Sequence, residues 1–391
     1  MQQTTGPETV RSDFDQVFGS RDQGWPRIYQ APGRINIIGE HTDYNGGFVL
    51  PSTIDLHTWV AVSPREDRQL KIYDCHSGEL HTIDLEAIER GEKGQPVEYL
   101  KGVAWALAEG GLKLRGCDLA IAGNIPLGGG LSSSASLELV LALALLETAG
   151  LGMDRKQLAL LCQRAEAEFV GAQCGIMDQF VIAMGARGRV MMLDCLFQEY
   201  QLLSIPPELQ FLVVHSGVSH RVSTGSYNSR REECESAVAA LGHAIPGLEY
   251  LRELTIEQLD THGGQLEDTI FRRVRHVVTE NQRVHEAQKA LADGDLEQLG
   301  ALVNQSHASL RDDFEVSCEE LDQLVEIAVS CDGVLGSRMM GAGFGGCTIS
   351  LVRTEFARQA AAGIREQYAR DLGNDPWMHI AAPAHSVNRI I

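Results

Sequence analysis

Residues 126–135 read Pro-Leu-Gly-Gly-Gly-Leu-Ser-Ser-Ser-Ala. They stand between an alternating, strand-like run (117–125) and an apolar helical run that ends at Ala149, with Gly150 as its stop. Glycines let the backbone approach an anion closely, and a helix N-terminus offers unpaired N–H groups and a positive partial charge. Three consecutive serines add hydroxyls able to reach phosphate oxygens or a cation. No Gly-Lys-Ser/Thr follows, so the loop is not a P-loop of the Walker type. A dinucleotide turn fits poorly. Its third glycine would fall at Ser133, and a second helix follows where the next strand and its ribose acid belong. The structural alternative is a tight turn with an N-capping serine.

Working outward, residues 33–62 read as strands and a hairpin, with Asn45-Gly46-Gly47 as a turn signal. A second helix is expected from about Asp154, with Leu158, Leu161, Cys162, Ala165 and Phe169 on one stripe. Strands are expected at 189–193 and 211–214, and helices at 226–241, 270–293 and 318–331. Near the end, Gly341-Ala-Gly-Phe-Gly-Gly formally matches G-x-G-x-x-G. A β-branched strand, 348–352, follows it instead of a helix, so the dinucleotide reading fails. A backbone-only turn pressed against a ligand or the other glycine loop fits better, with a ligand-free hairpin as the alternative. Strands and helices mix without a regular βαβ alternation, which points to an α+β fold. Pro206-Pro207 marks the expected boundary between an N-terminal domain, 1–205, and a C-terminal domain, 206–391.

The 391 residues carry 33 basic and 53 acidic side chains, a net charge of −20. That excess opposes nucleic acid, whose affinity comes largely from Lys and Arg on phosphates, and it opposes anionic membranes. Attraction for a phosphorylated ligand must therefore be local, from loop amides, helix N-termini or a metal. Nine cysteines without a C-x-x-C pair fit neither a disulfide framework nor structural zinc. The first 15 residues lack the apolar core of a signal peptide, and the most apolar run, 137–146, contains Glu138 and is too short to span a bilayer. A cytoplasmic location is expected.

Residues 34–43 pack Arg34, Asn36, Glu40, His41 and Asp43 between apolar strands. They could read a polyhydroxylated ligand, or they could be a solvated hairpin connection. Asp178 stands among apolar residues in Cys174-Gly-Ile-Met-Asp-Gln-Phe, as a helix cap or as a partly buried carboxylate that needs a partner. Glu166 and Glu168 sit at opposite edges of the second helix's apolar stripe, and α-helical geometry cannot choose between them.

Three motifs together resemble one family. Pro32-Gly-Arg-Ile-Asn-Ile-Ile-Gly-Glu-His-Thr-Asp-Tyr-Asn-Gly-Gly is similar to the galactokinase signature. Residues 128–136 and 341–347 resemble the ATP-binding and third motifs of the wider GHMP kinase superfamily. The likeness continues through 166–180, 227–231, 272–281 and 307–314. Gly39-Glu-His-Thr-Asp-Tyr is its specific part.

The resemblance implies a two-domain GHMP kinase-like fold with the active site between the domains. It implies ATP-dependent phosphorylation of α-D-galactose at C1, the entry step of galactose catabolism. Asp178 would be the proton acceptor and Arg34 the transition-state stabiliser. Glu40, His41, Thr42, Asp43 and Tyr227 would hold the sugar, with Gly175 offering backbone. Gly128, Gly129, Gly130, Leu131, Ser132, Ser133 and Ser134 would cradle ATP, and Ser134 and Glu166 would hold Mg²⁺. The implied partners are galactose and ATP, with no nucleic acid or membrane, and the implied state is a monomer. The tail, Ser386-Val-Asn-Arg-Ile-Ile391, departs from the family's usual ending. Two alternatives stand beside this reading. One is a kinase for N-acetylgalactosamine or L-arabinose. The other is a galactose sensor; such proteins lack two residues of the serine-rich motif, whereas Ser134 and Ala135 are present here.

Overall fold

The computed structural model describes residues 6–21, 24–92, 94–218 and 224–391. A six-stranded sheet runs in the order Asn388–Arg389, Arg27–Asn36, Pro51–Pro64, Cys117–Gly123, Gln69–Asp74 and Leu80–Asp84. Helix Ser133–Thr148 packs across its two long strands. That helix is apolar nearly all round, which suits a position buried on every side. Gly150, at φ 71°, closes its C-terminal end, as expected of a glycine stop. The second helix begins where expected, because the Asp154 carboxylate accepts the Gln157 N–H and caps helix Arg155–Arg164.

A three-stranded sheet (Phe48–Val49, Arg189–Asp194, Glu199–Ser204) leads into a four-stranded sheet ordered Val334–Met339, Cys347–Arg353, Leu209–His215 and Met378–Ala381. The expected division at 205/206 lies between these two sheets. One core nevertheless runs through both halves: Ile35, Ile37 and Leu50 pack in the same cluster as Phe211, Val213, Leu299 and Ile349. The chain's last strand also crosses back, with Tyr29 opposite Arg389 and Gln30 opposite Asn388. The architecture is mixed α and β, as expected from the missing βαβ alternation. Helices Pro96–Glu109, Leu296–Asp312 and Ala357–Leu372 add to those read from the sequence. No helix among the described residues is long and apolar enough to cross a membrane.

Two local features aim the site. The pairing of strand Arg27–Asn36 with Pro51–Pro64 shifts register between Pro32 and Gly33. A Cβ on Gly33 would stand 2.9 Å from the Leu131 carbonyl, and the Arg34 N–H donates to that same carbonyl at 3.1 Å. The irregularity thus docks the first glycine loop on the strand that carries Arg34.

Candidate active site

The two glycine loops meet. A Cβ on Gly341 would lie 2.9 Å from the Gly130 Cα, and one on Gly130 would lie 2.9 Å from the Met340 carbonyl. Gly128, Gly130, Gly341, Gly343, Gly345 and Gly346 all take positive φ, conformations that L side chains rarely adopt. Residues 341–346 connect two antiparallel strands and press on the first loop, as the backbone-only reading expects. Ser132 precedes the helix at φ 59° but makes no side-chain cap bond. Its hydroxyl donates to Asp178 instead. The first N–H groups of helix Ser133–Thr148 therefore keep no serine cap, and Ser133 and Ser134 sit half-buried at its first turn.

Asp178 lies in the first turn of helix Met177–Met184, which packs on the Arg34 strand. Arg34 grips it with two bonds, Nε to Oδ1 at 2.8 Å and Nη2 to Oδ2 at 3.0 Å. The third guanidinium nitrogen donates to the Gly130 carbonyl. Arg34 is 3 % exposed. Burial alone would lower its pKa, but the neighbouring carboxylates Asp178, Glu40 and Asp43 hold it above the ordinary value. The acid among apolar residues is thus a paired carboxylate, not a helix cap.

On the other side of Asp178 lies a cavity of about 130 Å³, lined by Arg34, Glu40, His41, Asp43, Cys174, Gly175, Met177, Asp178, Tyr227, Gly341 and Ala342. Arg34, Asn36, Glu40 and His41 are buried and Asp43 is half-buried, so the polar loop is not a solvated connection. Glu40 is buried and held from three sides: Asn36 Nδ2 donates to Oε2 at 2.9 Å, and Gly341 N and Arg338 Nη2 donate to Oε1 at 2.7 and 3.3 Å. His41, at φ 62°, meets the Tyr44 hydroxyl through Nδ1 at 2.9 Å. Burial, reinforced by nearby His276, pushes its pKa down to about 3, so the ring is neutral. Burial and the Asp178 carboxylate push Asp43 up to about 7. The Tyr227 ring lies 5.7 Å from His41 and 5.4 Å from Tyr44. Thr42 stands apart from the cavity. Its buried hydroxyl reaches the Gly39 and Phe48 carbonyls at 2.8 and 2.7 Å and shapes the loop. A side chain at Gly175 would displace Asp43, because a Cβ there would sit 2.0 Å from Oδ2.

Glu166 and Glu168 are separated by a turn that α-helical geometry does not anticipate. Residues Ala165–Val170 form a π-helix, which rotates the positions off an α-helical wheel. Glu166 turns inward at 7 % exposure. Glu168 stays outside, paired with Arg164 at 3.0 Å. Burial and Asp178 push Glu166 up to about 7, against hydrogen bonds from Ser134, Cys174 and Gln179. Gln179 Nε2 bridges Glu166 Oε2 at 2.6 Å and Glu138 Oε2 at 3.2 Å. Glu138 Oε1 and Gln179 Oε1 are buried without a partner.

Glu138 stands out as a lone acid in the most apolar run, though without a role, whereas nothing in the sequence pattern singles out Gln179 as a polar partner. Arg338 is another such residue, fully buried and donating from Nε to the Ile37 carbonyl at 2.7 Å. The available signal was a lone arginine ahead of two methionines in an otherwise apolar stretch.

Comparison with known proteins bears on the whole chain. The galactokinase galactose-binding signature matches residues 12–64, the GHMP kinases N-terminal domain 98–186 and the GHMP kinases C-terminal domain 287–370. A galactokinase of Chloroflexus aurantiacus is 42% identical over 361 residues, 92% of each chain. One of Roseiflexus sp. is 40% identical over 384 residues, 98% of this chain and 97% of that one. The crystal structure of Lactococcus lactis galactokinase complexed with galactose superposes with a TM-score of 0.93 at 34% identity, covering 98% of this chain and 99% of that one.

Proposed function

The chain belongs to the galactokinase family of the GHMP kinases, and from that premise we propose that it transfers the γ-phosphoryl group of ATP to the C1 hydroxyl of α-D-galactose, giving galactose 1-phosphate and ADP. One observation carries the reading. Asp178, gripped by Arg34 and Ser132, faces the cavity lined by Glu40, His41, Asp43 and Tyr227 on one side and the first glycine loop on the other.

Phosphoryl transfer asks the protein mainly for positioning and charge stabilisation. Asp178 takes the O1 proton as the new P–O bond forms. Arg34 fixes that carboxylate with two hydrogen bonds and opposes the charge on the moving phosphoryl group. The glycine loop and the first N–H groups of helix Ser133–Thr148 receive the phosphates of ATP.

The residues fit a magnesium ion. Mg²⁺ usually takes one or two carboxylates and completes its shell with waters and substrate phosphates. Glu166 and the Ser134 hydroxyl are hard oxygen donors one hydrogen bond apart, beside two buried oxygens without partners. Among the described residues no group of three or more His, Cys, Asp or Glu side chains could hold a metal by itself, so the nucleotide would complete the shell. When bound, Mg²⁺ supplies charge neutralisation at the β- and γ-phosphates.

In the cavity, Glu40, His41, Asp43 and Tyr227 hold the sugar hydroxyls. Galactose and glucose differ only in the orientation of the C4 hydroxyl. The wrong epimer leaves a buried polar group unpaired, at about 1–3 kcal/mol for each such group. Together these give at least roughly a hundredfold preference in kcat/KM. The test is turnover of galactose and glucose with Mg·ATP and identification of the product. Galactose 1-phosphate with near-absent glucose turnover is expected. A ratio near one, or turnover only of N-acetylgalactosamine or L-arabinose, would overturn the assignment.

A further inference from the structure

Among the described residues, five other than glycine hold a positive φ. One segment joins three of them. Each such conformation costs energy and persists only where its surroundings over-determine it. The three are His41 in the sugar loop (62°), Glu315 (54°), and Phe344 in the second glycine loop (60°). Residues 314–316 lie between helices Leu296–Asp312 and Glu319–Val329. At one end the Phe314 ring packs on His41, centroids 4.8 Å apart. At the other the Val316 carbonyl accepts the Phe344 N–H at 2.6 Å. It also lies so near Gly343 that a Cβ there would stand only 2.1 Å away.

The middle of the segment is pinned. Arg273, 2 % exposed, donates to Glu315 Oε2 and to the Asp313 carbonyl at 2.6 Å each, and to Glu233 Oε2 at 2.7 Å. Arg272 takes the other Glu315 oxygen. Arg230, one turn beyond Tyr227 on helix Thr224–Leu241, donates to the Phe314 and Glu315 carbonyls at 2.8 and 3.1 Å. The ring that packs on His41 and the carbonyl that holds Phe344 thus belong to one three-residue segment.

We infer that residues 314–316 couple the sugar cavity to the nucleotide loops, with Arg273 as the positioning residue that holds the coupler in its strained form. The inference rests on the reading that the cavity takes galactose and the glycine loops take ATP. A ligand in either site rests on the same strained segment and favours the arrangement that the other site shares, so the second ligand binds more tightly. Coupling of this kind typically amounts to about 5–150-fold in affinity.

The test is calorimetric titration of the non-hydrolysable ATP analogue AMP-PNP with Mg²⁺, with and without saturating galactose, alongside a galactose titration. In the wild type, galactose should tighten AMP-PNP at least about fivefold. Arg273→Met should bring that ratio close to one. Glu315→Gly, which removes both the carboxylate and the backbone strain, should do the same and decides the matter if Arg273→Met does not fold. Arg311→Ala, at an exposed pair with Asp312, should keep the full ratio. A merely structural role would lower the unfolding temperature and leave the ratio intact. A wild-type ratio of one, or full coupling in the folded variants, would overturn the inference. Failure of galactose to bind the wild type at all would instead count against the active-site reading.

Discussion

Gly175→Ala separates the shape of the sugar site from the stability of the fold. The added methyl would stand 2.0 Å from Asp43 Oδ2 and 2.3 Å from its Cγ, where ordinary contact begins at 3.4 Å. The carboxylate must therefore retreat by about 1.4 Å, the difference between 3.4 and 2.0 Å. The Asp43 Cβ would also lie only 2.9 Å away, so rotation of the side chain is not enough and the short turn Asp43–Asn45 must shift with it; the overlap is relieved by local displacement and not by unfolding. Misplacing a reacting or positioning group by about 1 Å costs on the order of a hundredfold. Gly175→Ala should thus lower kcat/KM for galactose roughly a hundredfold, mostly through KM, with KM for ATP and the unfolding temperature little changed. The assay is steady-state kinetics in both substrates, with thermal unfolding in parallel. Gly152→Ala is the control, since a Cβ there meets nothing within 4 Å. A Gly175→Ala enzyme within about threefold of wild type would refute the reasoning that Asp43 is a fixed part of the sugar site.

Two further outcomes are expected. Glu166→Gln and Ser134→Ala should each raise the Mg²⁺ concentration needed for half-maximal rate, whereas Glu168→Gln, at a surface pair with Arg164, should leave it unchanged; equal effects at 166 and 168 would remove the metal assignment. Asp43 is held near 7 in the folded chain against an ordinary 3.8, so the folded state binds the extra proton between those values, and the stability this lends is complete below about pH 4 and lost as pH rises toward about 7. Asp43→Asn without ligands should accordingly melt above wild type at about pH 8, with the gap closing toward about pH 4; a gap independent of pH would contradict the raised pKa of Asp43.

The glycine loops were legible because backbone freedom leaves a mark in composition: closely spaced glycines at 128–130 and 341–346 announce positive φ and close approach. The polar loop at 34–43 was legible as a group but not as buried. Its burial depends on Arg338 and Gly341, some 300 residues away, closing over Glu40. The choice between Glu166 and Glu168 could not be made on a wheel, since the wheel assumes 3.6 residues per turn and the chain there adopts a π-helix. Thr42 was grouped with the sugar residues by motif, yet its hydroxyl is engaged by the loop's own carbonyls. The positive φ at Glu315 left no trace in the sequence, because it is imposed by tertiary contacts and not by residue type.

The most direct measurement compares wild type with Asp178→Asn in the turnover of α-D-galactose and Mg·ATP, following galactose 1-phosphate by phosphorus NMR. Asparagine keeps the shape beside Arg34 and Ser132 but cannot take the O1 proton. A positioned general base contributes roughly 10²–10⁴-fold, so kcat should fall by that factor while the fold and AMP-PNP binding persist. An Asp178→Asn enzyme that retains more than about half of wild-type kcat would contradict the assignment of Asp178 as the base.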